Sequence, residues 1–351
     1  MKNKAEKSRP RLEGLDLARF LALFGMVIVN FKIAMGVEQA TGILGQLSGA
    51  LEGRAAASFV VLAGIGLGLA YRGAFQNTLV TALKRALFLL VLGLANMLIF
   101  EADILHYYAF YFAFGALLLP FGTGVLIAVV VALNLAFVAM LMVFNYDAGW
   151  DWTTLTYSGF WTPEGFIRNL FFNGWHPVIP WLGFLVVGII LSRLTLAERS
   201  TQWRLFLGGI VGLIATELVS GFMISLAPND PELAVLLGTA PVPPMPLYTV
   251  AGISAACLVV GTSLLLAPAL QKWRLLQLFT PAGRQTLTLY IAHILIGMGT
   301  LEALGMLGGQ SIEAAVSAAI LFVLAAMAYA WVWNHFFKRG PIEAVMRKLA
   351  G

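Results

Sequence analysis

Apolar segments of near-spanning length recur along the whole 351-residue chain and leave few folds open to it. A helix of about 20 apolar residues crosses a lipid bilayer, and within the bilayer each backbone N–H and C=O must be paired inside the protein. We therefore predict an all-α, polytopic membrane helix bundle with about ten transmembrane helices. The predicted spans are 15–35, 55–70, 82–99, 104–121, 124–144, 177–191, 205–226, 247–266, 286–306 and 312–333.

The composition excludes several classes of protein. Hydrophobic residues make up 60% of the chain and charged residues only 11%, which does not suit a soluble domain. The net charge of +5 is spread between apolar segments, so the expected partner is the lipid bilayer and not nucleic acid. The single cysteine, Cys257, lies in an apolar run, so neither a disulfide framework nor a metal site is expected. One domain, 1–351, is predicted, with terminal tails at 1–13 and 335–351.

The basic residues indicate how the bundle is oriented. With a cytoplasmic N-terminus, 18 of the 22 Lys and Arg residues fall in cytoplasmic segments, and the other four are Arg19, Lys32, Arg54 and Arg168. Cytoplasmic flanks are enriched in Lys and Arg, so this count favours an even number of spans and two cytoplasmic termini. The segment 173–181 then lies on the extracytoplasmic side.

This outer segment, Asn-Gly-Trp-His-Pro-Val-Ile-Pro-Trp, places His176 at the edge of a predicted span. Gly174 and Pro177 would break a helix interior, but proline suits a first helical position, so we expect a sharp entry into the span. His176 is then reachable from water. Two interpretations remain open: an interfacial anchor beside tryptophan, or a residue that transfers protons near neutral pH.

A second pair of polar residues opens the fourth predicted span. Asp103 and His106 are three residues apart, so on a helix the carboxylate reaches the imidazole and can fix its tautomer. An aspartate that starts the helix beside an interfacial histidine fits the same pattern. His293 falls near the middle of the ninth span, where a packing residue and a functional residue are both compatible with the sequence.

The first predicted span carries polar residues at two depths. Asp16 and Arg19 are three residues apart near the cytoplasmic side and can pair across one helical turn. Asn30 follows Arg19 by eleven residues, which a rise of 1.5 Å per residue converts into about 16 Å. Asn30 is therefore expected at the depth of the outer histidines, whereas Arg19 is not.

On the cytoplasmic side, Lys272 and Arg274 precede Gly283, Arg284 and a predicted helix start at Thr286. Positive side chains together with free backbone N–H groups at a helix start favour a phosphate site. Basic loops that face anionic lipid have the same composition. Both interpretations remain open at this point.

Five motifs together resemble a known family. They are Arg-Leu-Glu-Gly-Leu-Asp-Leu-Ala-Arg-Phe at 11–20 with Val-Ile-Val-Asn at 27–30, Asp-Ile-Leu-His-Tyr-Tyr-Ala at 103–109, the segment 173–181, Gly-Arg-Gln-Thr-Leu-Thr-Leu-Tyr at 283–290 and Arg-Gly-Pro-Ile-Glu at 339–343. In this order they resemble the YeiB-type membrane proteins, a family similar to heparan-glucosaminide N-acetyltransferase and to the wider transmembrane acyltransferases. The resemblance covers nearly the whole chain and implies a protein of the bacterial cytoplasmic (inner) membrane.

The resemblance implies acyl transfer across the membrane. Acyl-CoA, in particular acetyl-CoA, would be the cytoplasmic donor substrate, and the acceptor would be an extracytoplasmic hydroxyl or amine such as that of a sugar. Related acyltransferases carry an Arg and, ten intervening residues later, a His in the first span. The matching residues here are Arg19 and Asn30, so His176 or His106 is expected to take the role of the missing histidine.

Each candidate residue receives an expected role in this reaction. His176 removes the proton of the acceptor, and Asn30 donates to the developing oxyanion. Asp103 orients His106, which is an alternative base or a substrate-binding residue. The residues expected to bind the donor are Arg284, Lys272, Arg274 and Arg19.

A proton-coupled membrane transporter of a small solute is the competing interpretation, because intramembrane Asp, His and Glu can line a proton path. No internal duplication is visible, although inverted repeats can escape detection in a sequence. Binding of acyl-CoA distinguishes the two functions. The sequence leaves open whether the protein forms a homo-oligomer.

Overall fold

The computed structural model describes residues 11–38, 40–71, 73–226 and 228–351, so residues 1–10 of the predicted N-terminal tail lie outside the described residues. Within them, eight helices are long and apolar enough to cross a membrane, or nine if a helix pair bent by 51° counts as one span. The shorter apolar helix Leu105–Leu118 corresponds to the fourth predicted span and brings the number of observed segments to ten. The all-α membrane bundle is therefore confirmed.

The helices follow the predicted spans closely. They are α1 (Glu13–Ala34), α2 (Gly42–Leu51), α3 (Arg54–Ala70), α4 (Phe75–Met97), α5 (Leu105–Leu118), α6 (Thr123–Val143), α7 (Pro163–Arg168), α8 (Val178–Ser192), α9 (Arg199–Ser225), α10 (Pro231–Leu237), α11 (Pro246–Lys272), α12 (Leu276–Arg284), α13 (Thr286–Ala292), α14 (Gly299–Ala303), α15 (Ile312–Phe336) and α16 (Pro341–Ala350). Two π-helical segments, Asn169–Asn173 and His293–Met298, continue α7 and α13. In the outer loop, β1 (Trp150–Asp151) and β2 (Thr156–Tyr157) pair antiparallel.

Helix boundaries follow local chemistry. Helices α7, α10, α11 and α16 each begin with a proline, whose missing N–H is not needed at a first helical position. The side chains of Thr162, Asp230 and Ser311 accept a backbone N–H three residues on and so cap α7, α10 and α15. The predicted sharp entry at 174–177 is the 51° bend between the α7 segment and α8.

Helix α1 lies at the centre of the bundle. It packs against α3, α11, α12 and α15, and most of its residues are buried. Helix α6, in contrast, buries Leu126 and Phe137 and exposes most of its other side chains, as a lipid-facing helix does. The largest fully buried side chains include Trp181, Tyr107 and Tyr290, so the middle of the bundle is rich in aromatic residues that carry polar groups.

Both ends of the described chain lie on one face of the bundle. Arg11, which precedes α1, lines the same cavity as Arg85 of α4, Arg284 of α12 and Arg347 of α16. All four belong to the basic residues predicted to be cytoplasmic. An even number of spans requires the termini to lie on one side, and this shared cavity agrees with it.

Helices α1 and α12 touch at Gly283. A Cβ atom at this position would collide with the backbone oxygen of Asp16. Gly283→Ala is therefore expected to lower the melting temperature in detergent, with the loss of about 1–3 kcal/mol that overpacking causes. Gly299→Ala is the matched control, because a Cβ at this helical glycine meets nothing within 4 Å. Equal melting temperatures for the two variants would contradict the contact.

Candidate functional site

A buried carboxylate, that of Asp103, lies between α4, α5 and α13. The residue has 0% exposure. Its Oδ1 accepts hydrogen bonds from Nδ2 of Asn96 at 2.7 Å and from the hydroxyl of Tyr290 at 3.1 Å, and its Oδ2 accepts from the N–H of Leu105 at 2.7 Å. Ionisable groups at membrane depth are expensive to bury and are functional candidates by default.

His106 stands beside this carboxylate, as the spacing predicts. Its Nδ1 lies 3.6 Å from Oδ2 of Asp103, and neither ring nitrogen has a hydrogen-bond partner among the described residues. Oδ2 also accepts from the first N–H groups of α5, so Asp103 both starts the helix and faces the imidazole. Gly93 permits this approach of α4 and α5, because a Cβ there would collide with the backbone of His106. A buried imidazole with two free nitrogens is suited to binding a polar ligand or water.

His176 and His106 contact the same aromatic ring. The centroid of Tyr107 lies 3.8 Å from that of His106 and 5.9 Å from that of His176. Trp181 packs edge-on against His176 at 4.6 Å, and the carbonyl oxygen of His176 accepts from the hydroxyl of Tyr111 at 2.5 Å. His176 is half-buried, and its Nδ1 has no partner among the described residues. The structure thus brings the two candidate bases together.

Aromatic residues of the outer loop pack against one another beside these histidines. Trp150 stacks on Trp152 at 4.5 Å and meets Trp175 edge-on at 5.2 Å. Asn173 holds the loop by donating through Nδ2 to the backbone oxygen of Tyr146 at 2.7 Å. The indole N–H of Trp175 is buried without a partner among the described residues. The outer loop therefore forms an ordered aromatic cap with a free hydrogen-bond donor.

The side chain of Asn30 bonds to His293 and not to the outer histidines. Its Nδ2 donates to Nε2 of His293 at 2.9 Å, while Nδ1 of His293 donates to the carbonyl oxygen of Tyr290. A carbonyl oxygen only accepts, so the imidazole carries its proton on Nδ1. In this structure α1 packs along the α13 segment, and His293 binds the amide of Asn30.

These contacts link Asn30, His293, Tyr290, Asp103 and His106, which we call the polar chain. Within it, His293 contacts the backbone oxygen of Tyr290, and the hydroxyl of Tyr290 contacts Asp103. Tyr290 and Asn96 are not among the site residues predicted from the sequence. Tyr290 is the last residue of the motif 283–290 and could have been found from it, whereas nothing in the local sequence distinguishes Asn96.

The polar chain lies well above the cytoplasmic face. Along α4, Asn96 follows Arg85 by eleven residues. At 1.5 Å per residue this separation is about 16 Å, or roughly half of a 30 Å hydrocarbon core. Helix α4 therefore places the site well above the basic residues.

Three arginines converge on Asp16 at the cytoplasmic face. The predicted pair with Arg19 forms at 2.8 Å, and Arg11 and Arg284 bind the same carboxylate at 2.8 and 3.1 Å. Arg284 also binds Glu13 at 2.9 Å. The hydrogen bond to Asp16 raises the pKa of the Arg11 guanidinium above its ordinary value. Three guanidinium groups face two carboxylates, which leaves a positive charge in excess.

Two cavities open beside these arginines. The larger, which we call the basic cavity, has a volume of about 650 Å³. Its lining residues are Arg11, Arg85, Arg284, Asn334, Lys338, Arg339, Glu343, Met346 and Arg347. The smaller, which we call the small cavity, has a volume of about 260 Å³. It shares Arg284 and Asn334 with the basic cavity and adds residues that include Gln271, Arg274 and Trp331.

Of the four residues expected to bind a donor, two line a cavity and two do not. Arg284 lines both cavities, and Arg274 lines the small cavity. Lys272 is exposed at the end of α11, outside the lining of either cavity. Arg19 also lies outside both linings, because its guanidinium is turned to Asp16.

The start of α13 does not offer the free backbone N–H groups that the phosphate interpretation requires. The N–H groups of Leu287 and Thr288 donate to Oε1 of Glu343 at 2.8 and 3.1 Å. This carboxylate comes from α16 and caps the helix, since an anion is favoured at a helix N-terminus. These two N–H groups are therefore not free for a phosphate, so the phosphate interpretation rests on the basic side chains.

Comparison with known families shows what the chain is related to. The family described as heparan-alpha-glucosaminide N-acetyltransferase, catalytic, matches residues 11–221. The chain belongs to this family. The family described as protein of unknown function (DUF418) matches residues 190–351, and no curated protein matches the chain. The resemblance to YeiB-type proteins and to heparan-glucosaminide N-acetyltransferase is confirmed.

The heparan-alpha-glucosaminide N-acetyltransferase match and the DUF418 match each contain part of the site. The first spans Asn30, Asp103 and His106, and the second spans Tyr290 and His293. The hydrogen bonds from Asn30 to His293 and from Tyr290 to Asp103 connect the two parts. Within the described residues, no group of three or more His, Cys, Asp and Glu side chains is arranged to hold a metal ion.

Proposed function

We propose that the protein is a membrane acyltransferase that moves an acyl group, in particular acetyl, from cytoplasmic acyl-CoA to an extracytoplasmic hydroxyl or amine. The observation that carries the proposal is that α4 connects the two parts of the site: Arg85 lines the basic cavity, and Asn96, about 16 Å along the same helix, binds Asp103 beside His106. An acyl group that enters from this cavity approaches an imidazole, a side chain that commonly acts as a general base.

The basic cavity suits the phosphate groups of CoA. It presents six cationic side chains and one carboxylate, that of Glu343. Arginine binds phosphate through short charge-assisted hydrogen bonds, which are stronger than neutral ones. The small cavity offers the amides of Gln271 and Asn334 and the indole of Trp331, which suit a heterocyclic base. Arg284 lines both cavities and so connects the two parts of the donor site.

We assign the role of base to His106. Its free nitrogen removes the proton of the acceptor as the acceptor oxygen or nitrogen attacks the thioester carbonyl. The C–S bond then breaks, and the imidazolium returns the proton to the leaving thiolate of CoA. Asp103, 3.6 Å from Nδ1, stabilises the imidazolium that forms. General-base help of this kind contributes about 10²- to 10⁴-fold in rate.

Two other candidates receive supporting roles. His176 shares the Tyr107 ring with His106 but lacks an adjacent carboxylate among the described residues, so we assign it to acceptor binding and keep it as the second candidate base. Asn30 donates to the oxyanion of the tetrahedral intermediate through one N–H of its NH2 group, while the other N–H stays bonded to Nε2 of His293. One such donor is worth about 10²- to 10³-fold in rate.

An amino sugar is the acceptor to test first, because the name of the matching family refers to a glucosaminide and to N-acetyl transfer. The free indole N–H of Trp175 and the half-buried His176 offer polar groups to such a ligand at the outer end of the site. We propose that the donor cavities lie on the cytoplasmic side of a bacterial inner membrane, since the cationic residues that line them are those expected to be cytoplasmic.

Calorimetry of detergent-purified protein with acetyl-CoA tests the proposal. Saturable binding is expected, because cationic side chains outnumber carboxylates in the basic cavity. A proton-coupled transporter of another solute has no reason to bind this ligand. Well-folded protein that binds neither acetyl-CoA nor longer acyl-CoA would contradict the donor site and make the transporter the better interpretation.

A further inference from the structure

We infer that Tyr290 and His293, which lie one helical turn apart at the end of α13, are positioning residues: Tyr290 holds Asp103, and His293 holds Asn30. The inference rests on the proposed acyl transfer and adds two residues that act through the catalytic groups. Neither side chain needs to touch the donor or the acceptor.

Tyr290 connects the carboxylate with the backbone ahead of α5. The residue has 1% exposure, and its hydroxyl donates to Oδ1 of Asp103 at 3.1 Å while it accepts from the N–H of Ile104 at 3.3 Å. Oδ2 of the same carboxylate lies beside His106. Without the hydroxyl, Oδ1 keeps one side-chain donor, Asn96, and the carboxylate is less constrained to face the imidazole.

His293 sets the orientation of the Asn30 amide. Because Nδ1 donates to the carbonyl of Tyr290, Nε2 is an acceptor, so the NH2 group of Asn30 must face it. The ring of Phe31 stacks against the imidazole with a centroid distance of 6.5 Å, and the imidazole is fully buried. Asn30 is thus held at the polar chain in one defined orientation before any ligand arrives.

The local backbone also distinguishes this place. A π-helical segment begins at His293, and the other π-helical segment of the described residues ends at Asn173, three residues before His176. Such segments are rare in proteins and are frequent at functional sites. One segment thus contains His293 of the polar chain, and the other lies close to His176 in the sequence.

Helix α13 is fixed at its opposite end as well. Thr288 donates through its hydroxyl to Oε2 of Glu343 at 2.5 Å, and the N–H of Leu287 donates to Oε1 at 2.8 Å. Tyr290 follows only two residues later. The helix that carries both positioning residues is therefore held by α16 at its start and by the polar chain at its end, which suits a rigid support for a catalytic pair.

Tyr290→Phe is expected to lower kcat for acyl transfer by about 10- to 100-fold, the usual effect of losing a group that orients a functional side chain. The KM for acetyl-CoA should change little, because the donor cavities are untouched. Tyr329→Phe is the matched control, since Tyr329 lies on α15 with 38% exposure. A kcat for Tyr290→Phe equal to that of the control would overturn the inference.

His293→Gln provides a second test that does not depend on Tyr290. Glutamine can still accept from Asn30 through its oxygen, whereas alanine cannot. His293→Gln should therefore retain more of the wild-type kcat than His293→Ala, again with little change in the KM for acetyl-CoA. Equal losses in both variants, or a loss that appears only in KM, would contradict a positioning role.

Nitrogen-15 NMR of histidine-labelled protein separates failure of this inference from failure of the proposed function. The chain contains four histidines, so single substitutions assign every signal. We expect Nδ1 of His293 to be protonated and the signals of His106 and His293 to shift in Tyr290→Phe but not in Tyr329→Phe. Unshifted signals would refute the positioning role even in active protein. Shifted signals in protein that does not bind acetyl-CoA would refute the acyltransferase function alone. The contacts of the polar chain would then still be supported.

Discussion

Replacing His106 with Asn is expected to lower kcat for acyl transfer by about 10²- to 10⁴-fold, because Asn cannot take up and return a proton near neutral pH. Acetyl-CoA binding should persist, since the rise along α4 places the polar chain about 16 Å from the basic cavity. The measurement is steady-state release of free CoA with an acceptor present, together with calorimetry of donor binding.

Two further variants are needed to interpret the loss of kcat in His106→Asn. Glu232→Gln, which changes an exposed carboxylate in α10, should leave kcat at the wild-type value and controls for handling of the variants. His176→Asn should lower kcat less than His106→Asn, because no carboxylate of the described residues forms a contact with His176 like that of Asp103 with His106. If His176→Asn instead causes the larger loss, the assignments of base and acceptor-binding residue are reversed.

Replacing Arg284 with Gln is expected to weaken acetyl-CoA binding by about 10- to 100-fold, since a hydrogen bond to a charged group contributes about 1.5–3 kcal/mol. The effect should appear in Kd and in KM more than in kcat, because the residue lies at the cytoplasmic cavities and not at the polar chain. Calorimetric titration at two salt concentrations measures it, and added salt should weaken wild-type binding.

Three further variants test which residues bind acetyl-CoA. Arg284→Lys keeps the charge and should lose less affinity than Arg284→Gln. Arg274→Gln removes a residue of the small cavity alone and should have an intermediate effect. Lys272→Gln changes an exposed residue outside both linings and should bind like wild type. If Lys272→Gln weakens binding as much as Arg284→Gln, diffuse surface charge binds the donor and the cavities do not.

The spans could be predicted because the bilayer imposes a length and a polarity that each helix shows in its own sequence. Helix α6 is an example: nearly every one of its residues is apolar, and its predicted and observed bounds agree closely. The pair Asp103 and His106 could be predicted for a related reason. Their contact is local, because Asp103 lies just before α5 and His106 lies three residues later in its first turn, so it does not depend on which helices are neighbours.

Contacts between distant parts of the chain could not be predicted in this way. Asn30 and His293 are 263 residues apart, and periodicity does not reveal that α1 packs along the α13 segment. The start of α13 is a second example. Its N–H groups attract an anion, whether a bound phosphate or a carboxylate of the protein, and only the structure shows that the anion is Glu343, 55 residues beyond Thr288.

Transfer of label between two compartments is the decisive test of acyl transfer across the membrane. The protein is reconstituted in sealed vesicles with radiolabelled acetyl-CoA on one side only and a glucosamine-containing oligosaccharide on the other. We expect labelled acceptor in the acceptor compartment, free CoA retained in the donor compartment, and a large loss of both with His106→Asn. Label that reaches the acceptor only when both substrates share a compartment, or no labelled acceptor from protein that binds acetyl-CoA, would contradict it.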